Sequence, residues 1–142
     1  MSIWHIHPIP DALNPGSAGT LAGHLGMVYT AVGDDYLEAT MPVDARTVQP
    51  FGLLHGGASV ALAETIGSMA ANLCIDSARQ FCVGLEVNAN HIRSSRSGLV
   101  TGRATPLHLG GRTHVWQIEI RDEQERLVCT SRLTMSVLDR RE

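Results

Sequence analysis

Residues 51–77 read FGLLHGGASVALAETIGSMAANLCIDS, and this stretch decides the fold. From Gly57 to Ile75 it is rich in alanine and too long for a strand. It predicts one helix of about 19 residues, ~28 Å long, ended by Asp76-Ser77. The helix is apolar nearly all round, so something must cover it. The flanking sequence supplies the cover. Before the helix, residues 25–32 and 36–43 read as two strands joined by a Gly33-Asp34-Asp35 turn. After it come four strand-like runs, 81–92, 98–109, 113–121 and 126–138. In the third of these, His114, Trp116, Ile118 and Ile120 alternate with Val115, Gln117, Glu119 and Arg121. In the fourth, Leu127, Cys129, Leu133, Met135 and Val137 share a parity. Period two marks strands with one buried face. The expected fold is α+β, an antiparallel sheet wrapped around one apolar helix. It forms a single domain over 1–142, with residues 1–20 as an arm or short helix.

Composition narrows the function. The chain has 142 residues, 44% of them hydrophobic, enough for one core. Charged residues are 18%, below the roughly 25% of an average globular chain, which points to surface covered by another copy. The net charge is −3 and no basic run exceeds Arg140-Arg141, which argues against a nucleic-acid partner. The opening MSIWHIHPIPDALNP has no Lys or Arg, is broken by Pro8, Pro10 and Pro15, and does not read as a signal peptide. No apolar run approaches the ~20 residues of a membrane span, so no membrane partner is expected. Cys74, Cys82 and Cys129 are odd in number and show no CxxC spacing. They read as reduced thiols of a cytoplasmic protein. All eleven basic residues are arginine. Residues 1–78 hold one of them against seven acids, and residues 79–142 hold ten against seven. This asymmetry suggests a local anion site, for which the planar guanidinium suits phosphate.

Two features carry chemistry. From Thr47 to Ile75 the one charged residue is Glu64, in the middle of the apolar helix. A carboxylate moved out of water is raised in pKa, paired or functional. Ser68 lies one turn on, beside Gly67, and makes a small polar notch. The second feature is His55-Gly56-Gly57 at the helix start, where glycines admit a ligand to backbone N–H groups that favour a developing oxyanion. Gln49, held by Pro50, adds a neutral donor and acceptor. Gly56 and Glu64 lie eight residues apart, ~12 Å along one helix. They cannot both touch one carbonyl group in one chain. A two-fold axis pairing two such helices antiparallel would bring each Glu64 to the other chain's Gly56, which implies a homodimer sharing its sites. No metal and no cofactor is required. His5-x-His7 sits on a proline-broken arm and is not read as a metal site.

Residues 33–70 (GDDYLEATMPVDARTVQPFGLLHGGASVALAETIGSMA), 88–94 (NANHIRS) and 106–120 (PLHLGGRTHVWQIEI) resemble the hotdog-fold thioesterases. The branch is that of the Arthrobacter-type 4-hydroxybenzoyl-CoA thioesterase, the 1,4-dihydroxy-2-naphthoyl-CoA hydrolase and the proofreading thioesterase of enterobactin synthesis. The resemblance implies a hotdog fold, a curved antiparallel sheet around one long central helix, in a dimer or a homotetramer built of dimers. It implies an acyl-CoA or acyl-carrier-protein thioester as substrate. Glu64 is then the nucleophile or general base, and the Gly56 N–H polarises the thioester carbonyl. His55 and Gln49 orient the site, and Ser68 helps to place water. CoA is held by residues matching Gly84, His91, Ile92, Arg93 and Ser94, and by His108, Leu109, Gly110, Gly111, Arg112 and Thr113. Met69, with Ile66 and Leu73, lines the acyl pocket in this reading, and Ala63, Gly67 and Ala70 leave room for a flat ring. An aromatic acyl-CoA such as hydroxybenzoyl- or dihydroxynaphthoyl-CoA is the expected substrate. The alternatives are a hotdog hydratase or dehydratase and a non-catalytic acyl-CoA-binding module.

Overall fold

A computed structural model describes residues 1–141. Two short helices, α1 (Pro10–Leu13) and α2 (Leu21–His24), flank a 3-10 turn at Asn14–Ser17. Strands β1 (Val28–Val32) and β2 (Leu37–Pro42) precede the long helix α3 (Gly56–Leu73). Four strands follow: β3 (Gln80–His91), β4 (Leu99–Leu109), β5 (Thr113–Arg121) and β6 (Leu127–Asp139). The six form one sheet in the order β1-β2-β4-β5-β6-β3, antiparallel throughout. Bulges interrupt β1, β3, β4 and the β5–β6 pairing. Each adds local twist and bends the sheet, which curves it about the helix.

The strand expected from residue 25 starts at Val28 because the chain before it is still leaving α2. Met27 N–H bonds to Ala22 C=O at 2.9 Å, and Gly26 takes a φ of 72° that glycine adopts without strain. Helix α3 ends at Leu73, two residues before the expected Ile75, with Cys74 N–H turned back to Ala71 C=O.

The core lies between α3 and the concave face of the sheet. Leu62, Ala63, Ile66 and Ala70 meet Trp116, Ile118, Leu133 and Met135, all with no exposed surface. Burying each Leu or Ile side chain is worth about 1.5–3 kcal/mol. Two glycines set the helix–sheet distance. A β-carbon at Gly102 would lie 2.6 Å from Ile66 Cδ1, and one at Gly67 would lie 2.6 Å from Leu133 Cδ2. Ala63, Ile66, Gly67 and Ala70 therefore fill this chain's own core. They do not make room for an acyl ring, as the sequence suggested, because the helix turns that face to the sheet. Met69 and Leu73 stay half-buried on the helix flank.

Candidate active site

The site is built on the start and the middle of α3. At its N-terminus, His55 N–H donates to Thr47 C=O and Leu54 N–H to Ser95 C=O, each at 2.8 Å, which fixes the entry to the helix. His55 is the N-cap residue. Its Nδ1 accepts from Gly57 N–H at 2.8 Å, so that nitrogen carries no proton and the ring's proton sits on Nε2. His55 C=O takes Ala58 N–H and Ser59 N–H. Gly56 N–H alone in this turn has no acceptor among the described residues. The Gln49–Leu53 loop closes on itself through Gly52 N–H to Gln49 C=O, with Gly52 at φ 77°. Gln49 Oε1 accepts from Phe51 N–H, which holds the side chain in place.

A cavity of about 300 Å³ opens at this helix end. Gln49, Gly56, His91, Ile92, Arg93 and Ser94 line it, with Leu53, Leu54, Ser59 and Val128. The His91 ring lies against Gly56, so that a β-carbon there would sit 2.8 Å from Nε2. Six of the residues singled out from sequence thus meet at one place, with His55 capping the turn behind them.

Glu64 stands two turns further along α3. Its Oε1 rests on Gly84 of β3, in the volume a β-carbon would occupy. Ser68 and Asn72 follow at intervals of four, on the same helix face. The Asn72 amide bridges helix and strand. Its Nδ2 donates to Ser68 C=O at 2.9 Å and Cys82 C=O at 3.2 Å, and its Oδ1 accepts from Cys82 N–H at 2.8 Å. This clamp leaves no mark in the residue pattern, because an Asn in a helix is usually solvated.

The two groups of expected CoA contacts are far apart in one chain. Arg93 N–H bonds to Val128 C=O at the start of β6, and Arg112 C=O accepts from Val137 N–H near its end. Val137 lies nine residue steps along the strand from Val128, a span of ~30 Å. Arg112 is exposed and pairs with Asp139 at 3.2 Å. Gly110 and Gly111 line a second cavity, of about 440 Å³, with Cys74, Asp76, Gln80 and the buried His114. His108 and Leu109 end β4 and Thr113 begins β5, on either side of the same connection. Burial, and secondarily His108, hold the His114 pKa below its ordinary value. Burial, with Cys82 nearby, pushes the Cys74 thiol up to about 12, and burial lifts Cys82 to about 11, so both stay protonated and unreactive. Among the described residues, no group of three or more His, Cys, Asp or Glu side chains could hold a metal ion. Among the described residues no helix is long and apolar enough to cross a membrane.

Known proteins share this sequence and this fold. The sequence pattern of the thioesterase superfamily matches residues 51–129. The chain is 58% identical over 136 residues to the 1,4-dihydroxy-2-naphthoyl-CoA hydrolase of Escherichia coli K12, covering 96% of this chain and 99% of that one. It is 57% identical over 136 residues to the proofreading thioesterase EntH of Cronobacter sakazakii, covering 96% and 98%. A crystal structure of a thioesterase from Haemophilus influenzae superposes with a TM-score of 0.94 at 53% identity, over 96% of this chain and 95% of the other. A family pattern over more than half of the chain, identities of 57–58% over nearly its whole length and a closely superposing fold agree: the chain belongs to the hotdog-fold thioesterase superfamily and is a thioester hydrolase.

Proposed function

We propose that the chain hydrolyses an aromatic acyl-CoA to the free acid and CoA in a site shared by two copies. The observation that carries this is the division of the equipment along β3. The free Gly56 N–H lies beside His91 at one end of the strand, and the Glu64 carboxylate lies on Gly84 nearer the other. β3 is the last strand of the sheet, and its outer edge has no strand partner among the described residues. Val83 and Leu85 are 41% and 70% exposed on it. A long unpaired edge that exposes apolar side chains is a template for another strand. A two-fold axis crossing β3 midway between Gly84 and His91 sets Glu64 of each copy near Gly56 of the other. The same axis sends the Gly110–Arg112 end of one copy towards Arg93 of its partner. One CoA then meets both groups of contacts that a single chain holds ~30 Å apart. Association of two such dimers gives the tetramer expected from the resemblance.

In this reading the thioester carbonyl accepts from Gly56 N–H, a donor that matters most as the oxygen gains charge. Glu64 of the partner supplies the nucleophile, either its own carboxylate or the water it deprotonates. The thiolate is a good leaving group and needs little acid assistance. His55, with its Nε2 proton, and Gln49 orient the acyl end. Ser68, one turn from Glu64, places water, and Met69 lines the acyl pocket. The aromatic preference is supported by the dihydroxynaphthoyl-CoA named for the Escherichia coli relative. The protonated cysteines fit a cytoplasmic setting. A panel of aromatic and medium-chain acyl-CoA thioesters, read by free-thiol release, tests the proposal. Fastest release is expected from the aromatic members, and preference for aliphatic chains would contradict it.

A further inference from the structure

Ser59 is 1% exposed, sits in the first turn of α3 and lines the cavity at the helix start. Its Oγ has no hydrogen-bond partner among the described residues. A serine inside a helix usually satisfies its hydroxyl by donating to the carbonyl four residues back. Here that carbonyl is His55 C=O, which already accepts from Ala58 N–H at 3.0 Å and Ser59 N–H at 3.2 Å. A buried hydroxyl left without a partner destabilises the fold, so its retention calls for a reason outside the folded chain. Its position supplies one. Ser59 follows Gly56 by three residues, which puts the two on one face of the helix. Side chains on a helix lean towards its N-terminus, so the Ser59 hydroxyl overlies the turn that Gly56 begins.

We propose that Ser59 is a second oxyanion donor: its O–H joins the Gly56 N–H on the carbonyl oxygen of the bound thioester. This rests on the thioesterase reading of the site. Two donors on one oxygen suit the tetrahedral intermediate better than the planar ester, because the bonds strengthen as charge develops. No proton is transferred from Ser59, and the hydroxyl stays intact through the reaction. His91 closes the other side of the same space against Gly56.

The proposal makes stability and activity move in opposite directions. In Ser59→Ala the orphan hydroxyl is gone, so the melting temperature holds or rises. The kcat falls by roughly 10- to 100-fold, and KM stays within about twofold. The loss is the same for benzoyl-CoA and for the benzoyl thioester of N-acetylcysteamine, since both present the same carbonyl. Ser59→Cys fills the site with a slightly larger side chain and a weak donor and is expected to lose kcat while the protein stays folded, which separates donation from packing should the alanine variant fold poorly. Wild-type kcat in Ser59→Ala or Ser59→Cys overturns the assignment, as does an effect confined to KM. Failure of the wild-type protein to cleave any thioester of the panel would instead overturn the reading on which the proposal stands.

Discussion

Glu64 Oε1 occupies the space over Gly84 that a β-carbon would need. Helix and strand meet there because glycine leaves a hollow in the face of β3, and the carboxylate lies in it. Gly84 also precedes the bulge that shifts register before Glu86. Gly84→Ala is therefore expected to push the carboxylate out of place while the fold survives, since residue 84 is exposed on an edge strand. A fall in kcat of at least ~10-fold with an unchanged circular dichroism spectrum is the expected outcome. Wild-type kcat in Gly84→Ala would mean that the observed seat of Glu64 is not the working one.

Glu64→Gln keeps the shape and removes the charge. It is expected to lower kcat by at least ~10², with CoA still bound. Stopped-flow measurement of bound product against free thiol checks both halves. Near-normal turnover would sink the role given to Glu64.

Arg93 lines the helix-start cavity and has no ion-pair partner among the described residues, whereas Arg112 is tied to Asp139. Arg93→Ala is expected to raise KM for acyl-CoA well beyond its effect on kcat, and to change little for the matching pantetheine thioester. Equal effects on full and truncated substrates would rule out phosphate as the group that Arg93 holds.

His114 gives the fold a pH dependence. It is 3% exposed, with Nδ1 unpartnered among the described residues, and burial holds its pKa below the ordinary 6.5. Below the ordinary value the unfolded chain takes up a proton that the folded chain refuses. Stability therefore falls as pH drops from about 6.5 towards the folded pKa. Thermal melts between about pH 7 and 5 are expected to flatten in His114→Phe relative to wild type. An equal slope in both proteins would refute this source of acid sensitivity.

Much of this molecule is legible before any coordinates. The apolar run after His55 is too long for anything but a helix, and alternation from His114 to Ile120 marks the buried face of β5. Glu64 stands out because no other charge occurs near it. What escapes the sequence depends on which way the helix faces. Ala63, Gly67 and Ala70 look like space for a ligand until Ala63 and Ala70 are found buried in the core and Gly67 pressed on Leu133 and Ile118. Asn72 looks like a solvated residue until its amide is found on both backbone groups of Cys82. Ser59 carries a signal that spacing alone offers, three residues after Gly56. Its meaning emerges only once His55 C=O is found already occupied.

The proposed site is complete only when two copies of the chain come together. Glu64→Ala and Gly56→Pro remove one half each, the second by deleting the donor N–H at a first helical position whose backbone admits proline, with the His91 ring displaced by the added side chain. Each parent is expected to be inactive alone, with folding of both checked by circular dichroism. When the two are mixed and allowed to exchange subunits, a heterodimer carries one site with both defects and one with none. Thioesterase activity is then expected to return to about half the wild-type value per heterodimer. Absence of recovery from folded parents that demonstrably exchange would mean that Gly56 and Glu64 serve different sites.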